Sequence, residues 1–152
     1  MNKLTAVGAT AMMVVGSVGG AIAYVLGGWD NSIQTLLVFM LIDYLTGIAL
    51  AVLNKSTKTK DGGLSSKAGF KGIFKKAGML VVVIIAHRLD ILSGTDFIKD
   101  ACIIVLIANE GLSIIENLGT MGVPIPKILI KVIEALKKTD DEADEEDEPD
   151  SV

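Results

Sequence analysis

The chain has 152 residues, 51% of them hydrophobic and only 5% aromatic, with a mean hydropathy of +0.56. A soluble domain of this size rarely averages so far above zero, and here the apolar residues are gathered in long runs, which implies an all-α integral membrane unit with a soluble tail. The formal charge of −4 hides an asymmetry: residues 140–150 hold nine of the eighteen acids, so residues 1–139 carry +5, fourteen basic residues against nine acids.

The first apolar run, residues 4–28, is rich in Gly, Ala and Val. Its basic start and the Ala21-Ile22-Ala23 triplet raise the alternative of a cleaved signal peptide, but the run is long, thick with glycine and apolar beyond the triplet, which favours a retained span. Gly16 and Gly20, on a ladder with Gly19, Ala23 and Gly27, offer a face that another helix can approach closely, unless they only reflect how common small residues are in such helices. The link 27–31 has no basic residue and carries Trp29, suited to a membrane interface. The second run, residues 33–53, has about the length needed to cross ~30 Å of hydrocarbon. On one of its helical faces lie Asp43, Thr46, Gly47 and Asn54. Gly47 joins Gly16 and Gly20 as a place for close helix contact. Asp43 sits near mid-span, where a lone carboxylate is a functional hypothesis and needs a partner.

Residues 54–76 then bring Lys55, Lys58, Lys60, Lys67, Lys71, Lys75 and Lys76 against the single Asp61. The excess of Lys makes this loop cytoplasmic, with its lysines at the anionic headgroups or acting as a topology signal alone. A third run, residues 73–93, contains His87, Arg88 and Asp90. Arg88 or His87 is the expected partner for Asp43, and His87 and Asp90 are spaced to meet on one helix. Such a cluster would be either a static register-setting ion pair or a protonatable group responding to membrane energisation.

After a short polar link, the fourth run spans residues 97–118. Cys102, the only cysteine, excludes an intrachain disulfide and reads as a small packing residue. Asn109, Glu110, Ser113, Glu116 and Asn117 recur at helical spacing and are expected to form one polar face, lining a lumen or contacting another copy; an interfacial helix is the alternative. Together with Asp43, Thr46, His87, Arg88 and Asp90 they are the expected polar interior of an assembly. Beyond Pro124 and Pro126, Ile128, Leu129, Val132, Ile133 and Leu136 alternate with Lys127, Lys131, Lys137 and Lys138, which predicts an amphipathic helix over 123–138 on the inner membrane surface. Residues 140–150 are nearly all acidic, and 139–152 read as a disordered solvated tail. The expected organisation is four crossings within residues 1–122, both termini cytoplasmic.

Catalysis fits poorly. There is one His and one Cys, and no HExxH, GxSxG, P-loop or GxGxxG occurs, so no enzymatic chemistry, cofactor, metal or nucleic-acid partner is expected.

Several segments, taken in order, resemble the phage lysis and toxin-secretion holin family. They are Asp43-Tyr44-Leu45-Thr46-Gly47, the loop from Leu64-Ser65-Ser66-Lys67 to Phe70-Lys71-Gly72 and Lys75-Lys76, His87 with Asp90, and Asn109-Glu110 through Glu116-Asn117-Leu118 to Gly122-Val123-Pro124-Ile125-Pro126. The resemblance covers about residues 36–136. It implies a small protein that accumulates in the bacterial cytoplasmic membrane, binds lipid and copies of itself, and opens a lesion at a timed moment. An endolysin, or in some members a toxin, then leaves the cytoplasm, with an antiholin as a further potential partner. Two competitors share the residues: a small homo-oligomeric ion channel or transporter, and a membrane scaffold that recruits a partner through the acidic tail.

Overall fold

The computed structural model describes residues 3–145, which form five helices and their connecting turns. These are α1 (Lys3–Val25), α2 (Asn31–Val52), α3 (Ser66–Ser93), α4 (Ile98–Met121) and α5 (Lys127–Glu145). No strand occurs among the described residues.

Local chemistry sets the helix starts. Asp30 caps α2, its carboxylate accepting the Ile33 N–H at 2.8 Å, which satisfies one of the donors a helix leaves open at its start. Ser65 caps α3 through the Ala68 N–H. That cap starts α3 well before the apolar run, at Ser66, so residues 66–76, expected to belong to the basic loop, are the first three turns of a 28-residue helix. The α1–α2 turn depends on Gly27. Its φ of +85° is a left-handed conformation that side chains resist, and a Cβ there would lie 2.6 Å from the His87 ring.

Packing centres on α4, which contacts α2, α3 and α5. The apolar core joins Ile33, Leu36 and Met40 of α2 to Met79 and Val83 of α3 and Ile103 of α4, with Leu26 closing one end. The buried positions are spaced three, four or seven apart, Ile33, Leu36, Met40, Asp43 and Leu50 on α2, and Met79, Val83, Ala86 and Asp90 on α3. That is the seam of helices packed nearly in line.

Helix α1 lies outside this seam. None of its span 7–25 is buried, and no atom comes within 4 Å of where a Cβ would stand at Gly16 or Gly20. The expected close contacts at these glycines are therefore not made within the chain, because no neighbouring helix reaches them. At Gly47 the nearest group is the Lys58 ammonium, not a helix.

Among the described residues, two helices, α1 over Val7–Val25 and α2 over Asn31–Val52, are long and apolar enough to cross a membrane. Helix α5 departs from expectation twice. It packs on α4, and it continues through Glu145, into the stretch expected to be disordered. The rest of the acidic tail, 146–152, lies outside the described residues.

Candidate functional site: a polar layer in the helix seam

One layer of the seam is built from polar side chains. Asp43 on α2 is 7% exposed, in line with the buried Ile33, Leu36 and Met40 of the preceding turns, and Glu110 and Asn117 on α4 are 3% and 8% exposed. From α3, the Lys76 ammonium enters between the two carboxylates, donating to Asp43 Oδ2 at 2.8 Å and to Glu110 Oε2. Asp43 Oδ1 accepts from the Ser113 hydroxyl at 2.5 Å and from the Asn117 amide at 3.2 Å. Asn117 also donates to Thr46 Oγ1 at 3.0 Å, and that hydroxyl donates back to the Asp43 carbonyl. Three helices thus converge on one carboxylate.

The layer is closed and fully partnered. No buried side-chain nitrogen or oxygen among the described residues lacks a hydrogen bond. With one ammonium between two carboxylates, its formal charge is −1. A buried charge pair gains little over an apolar core, but removing one member leaves an isolated charge at a cost of about 3–5 kcal/mol. The arrangement therefore specifies which helix faces meet more than it adds stability.

Several expected partners are elsewhere. Lys76, assigned from sequence to the headgroup lysines, is the true partner of Asp43, because the early start of α3 turns it into the seam. Arg88 is exposed and His87 is half-buried beside Gly27, so neither reaches Asp43. Asp90 is buried but is a structural cap: it accepts the Ile98 and Lys99 N–H groups at 3.0 and 2.8 Å and the Thr95 hydroxyl at 2.7 Å. Phe97, at the N-cap position of α4, supplies no side-chain bond of its own.

The expected stripe on α4 divides. Glu110, Ser113 and Asn117 face the seam, whereas Asn109 and Glu116 are exposed on the outer flank. Residues six apart on a helix, such as Glu110 and Glu116, point about 120° from each other. The polar residues thus serve two faces, one satisfied within the chain and one open. Lys55, Lys58, Lys60, Lys67, Lys71 and Lys75 are exposed around the α2–α3 loop and the first turns of α3.

A second charged contact ties the opposite end of the bundle. Lys99 at the start of α4 donates to Asp30 at 2.7 Å and to the Gly27 carbonyl at 3.5 Å. Partial burial disfavours the ionised Asp30, but the Ile33 N–H and the Lys99 ammonium outweigh it and hold this carboxyl below its ordinary range. Sequence reasoning missed Lys99, which lies inside the start of the fourth apolar run and was not singled out among its polar residues.

The model of the bacteriophage holin family matches residues 20–138, from the second half of α1 into α5. An uncharacterized 14.9 kDa protein in the nagH 3′ region of Clostridium perfringens is 41% identical over 124 residues, 80% of this chain and 86% of that protein. Protein Lmo0128 of Listeria monocytogenes is 36% identical over 133 residues, 85% of this chain and 90% of the relative. A probable holin of Bacillus phage phi105 is 32% identical over 124 residues, covering 81% and 87% of the two chains. No solved structure matches the chain.

Proposed function

The chain belongs to the bacteriophage holin family, and we propose that it acts as one: it assembles with copies of itself in the bacterial cytoplasmic membrane and opens a timed lesion through which an endolysin, or a toxin, leaves the cell. On this reading α3 and α4 cross the bilayer with α1 and α2. The lysines of residues 54–76 then lie in the cytoplasm with both termini, and Trp29 at the outer interface.

The observation that carries the reading is the division of polar residues on α4. Glu110, Ser113 and Asn117 are spent inside the chain, whereas Asn109 and Glu116 stand exposed two turns apart on a flank whose neighbouring positions, Val105 and Leu112, are apolar. Facing lipid, an ionised Glu116 is costly; against another copy or a water-filled lumen it is not. A single subunit leaves that cost standing, and assembly removes it. No step of this function calls for catalytic chemistry.

The test is induction in a bacterial host that carries a folded, endolysin-sized cytosolic reporter, with membrane potential and reporter release followed together. The expected record is an abrupt, delayed loss of potential with the reporter outside. Loss of potential with the reporter retained indicates a small pore. With neither event, the scaffold reading stands. Glu116→Leu is expected to leave membrane insertion unchanged and to delay or abolish permeabilisation; unaltered timing would remove the flank from the mechanism.

A further inference from the structure

The position of α5 conflicts with a bilayer around α2. The missing side chain of Gly111 leaves a notch on α4 that Ile133 of α5 fills: a Cβ on Gly111 would stand 2.9 Å from Ile133 Cδ1 and 3.3 Å from the Phe39 ring. Phe39 is the ninth of the 22 residues of α2, about 12 Å from one end of that helix and about 20 Å from the other. Where α2 crosses a membrane, the Ile133 contact is therefore close to the hydrocarbon midplane. Lys131 and Glu134, on either side of Ile133, are exposed. At that depth they would face lipid, and two such charges disfavour the arrangement by on the order of a thousandfold.

The groove also fits α5 incompletely. Ile130, Ile133 and Leu136 are turned partly inward, yet Ile128, Leu129 and Val132 remain 66%, 51% and 49% exposed. On a helical wheel all six fall on one apolar arc with Lys127, Lys131 and Glu134 opposite, a wider arc than α4 covers. A helix of that pattern buries the whole arc at a lipid surface and keeps its lysines among anionic headgroups.

We propose that α5 exchanges between two seats: the Gly111–Phe39 groove, which it occupies where lipid does not surround that face, and the anionic inner surface of the membrane, to which it moves as α2 and α4 insert. The docked helix is thus a latch on insertion, and its departure frees the groove. This rests on α2 and α4 both crossing the bilayer, part of the function proposed above.

The position of α5 is read by fluorescence in vesicles rich in anionic phospholipid. Cys102→Ala removes the native thiol, and Val132→Cys carries an environment-sensitive dye. Nitroxides placed at the headgroup or deep in the acyl chains report depth. The headgroup quencher is expected to be the stronger; stronger quenching by the deep nitroxide overturns the proposal. A second variant, Gly111→Cys with Ile133→Cys in the same background, locks the latch by disulfide. Oxidised protein is expected to release little trapped dye from vesicles, and reductant to restore release. Equal release from a fully cross-linked sample overturns the latch. If the reduced and wild-type proteins release no dye, the holin reading fails, while the depth measurement still decides where α5 lies.

Discussion

Helices α1 and α4 are nearly equal in length, 23 and 24 residues, yet α4 contacts three other helices and the span 7–25 of α1 is entirely unburied. What separates them is polarity. Helix α1 has no charged residue beyond Lys3, whereas α4 carries Lys99, Asp100, Glu110 and Glu116 and adds Asn109, Ser113 and Asn117. In lipid, apolar side chains gain nothing hydrophobic by leaving hydrocarbon for another helix; association must come from packing and polar contacts. The helix with polar groups therefore organises the bundle, and the helix without them has no preferred partner in its own chain.

The sharpest way to break this comparison is at Lys76. Lys76→Met keeps the length of the side chain and removes the ammonium that Asp43 and Glu110 share. The two carboxylates are then buried side by side, and a loss of about 3–5 kcal/mol is expected from unfolding titrations in detergent. The triple change Asp43→Asn, Lys76→Met, Glu110→Gln is expected to recover most of it. If the single variant were as stable as wild type, polarity would not be what makes α4 the organiser.

How much of this layer was legible follows from helical phase. Asp43, Glu110, Ser113 and Asn117 stood out because each interrupts an apolar run. Lys76 did not, because it was counted with the loop lysines, although Lys76, Met79, Val83, Ala86 and Asp90 are spaced three, four, three and four apart. Once the Ser65 cap is allowed to start the helix, that phase puts Lys76 on the core face. The helical spacing of Asn109, Glu110, Ser113, Glu116 and Asn117 covers an arc of about 120°, wider than the seam, so its Asn109 and Glu116 edge stays outside. The seat of α5 was not legible: it depends on Gly111, whose lack of a side chain matters only when Phe39 and Ile133 are brought beside it. The role of Asp90 was hidden for the same reason, since its partners are backbone N–H groups at the start of the following helix.

Smaller effects are expected where α4 meets its neighbours by shape or at the bundle end. Gly111→Val fills the notch occupied by Ile133, and overpacking of this kind costs about 1–3 kcal/mol; thermal unfolding should report it, with α5 more open to proteolysis. At the other end, Asp30→Ala removes both the α2 cap and the partner of Lys99, an expected loss of about 1 kcal/mol. Here pH adds a check. The folded-state pKa of Asp30 is lowered, so its contribution is complete above the unfolded value of about 3.9 and fades as pH falls through the lower folded one. Acid unfolding of wild type should carry a component that the Asp30→Ala protein lacks.

The smallest effect expected on the single chain is at Gly16, and it tests the other half of the comparison. Gly16→Val adds a branched side chain where nothing lies within 4 Å, so subunit stability should change by less than about 0.5 kcal/mol. A clear destabilisation would mean that α1 packs on its own bundle after all. The same substitution should act on the assembly, because close approach between helices at small residues tolerates no such branch. Cross-linking in membranes should then show smaller oligomers for Gly16→Val, while a bulky replacement at an exposed apolar position on the opposite face, such as Val14, 57% exposed, leaves them unchanged. If both variants assemble like wild type, the glycine face meets only lipid, and the contacts between subunits must be sought on the flank of α4 that carries Asn109 and Glu116.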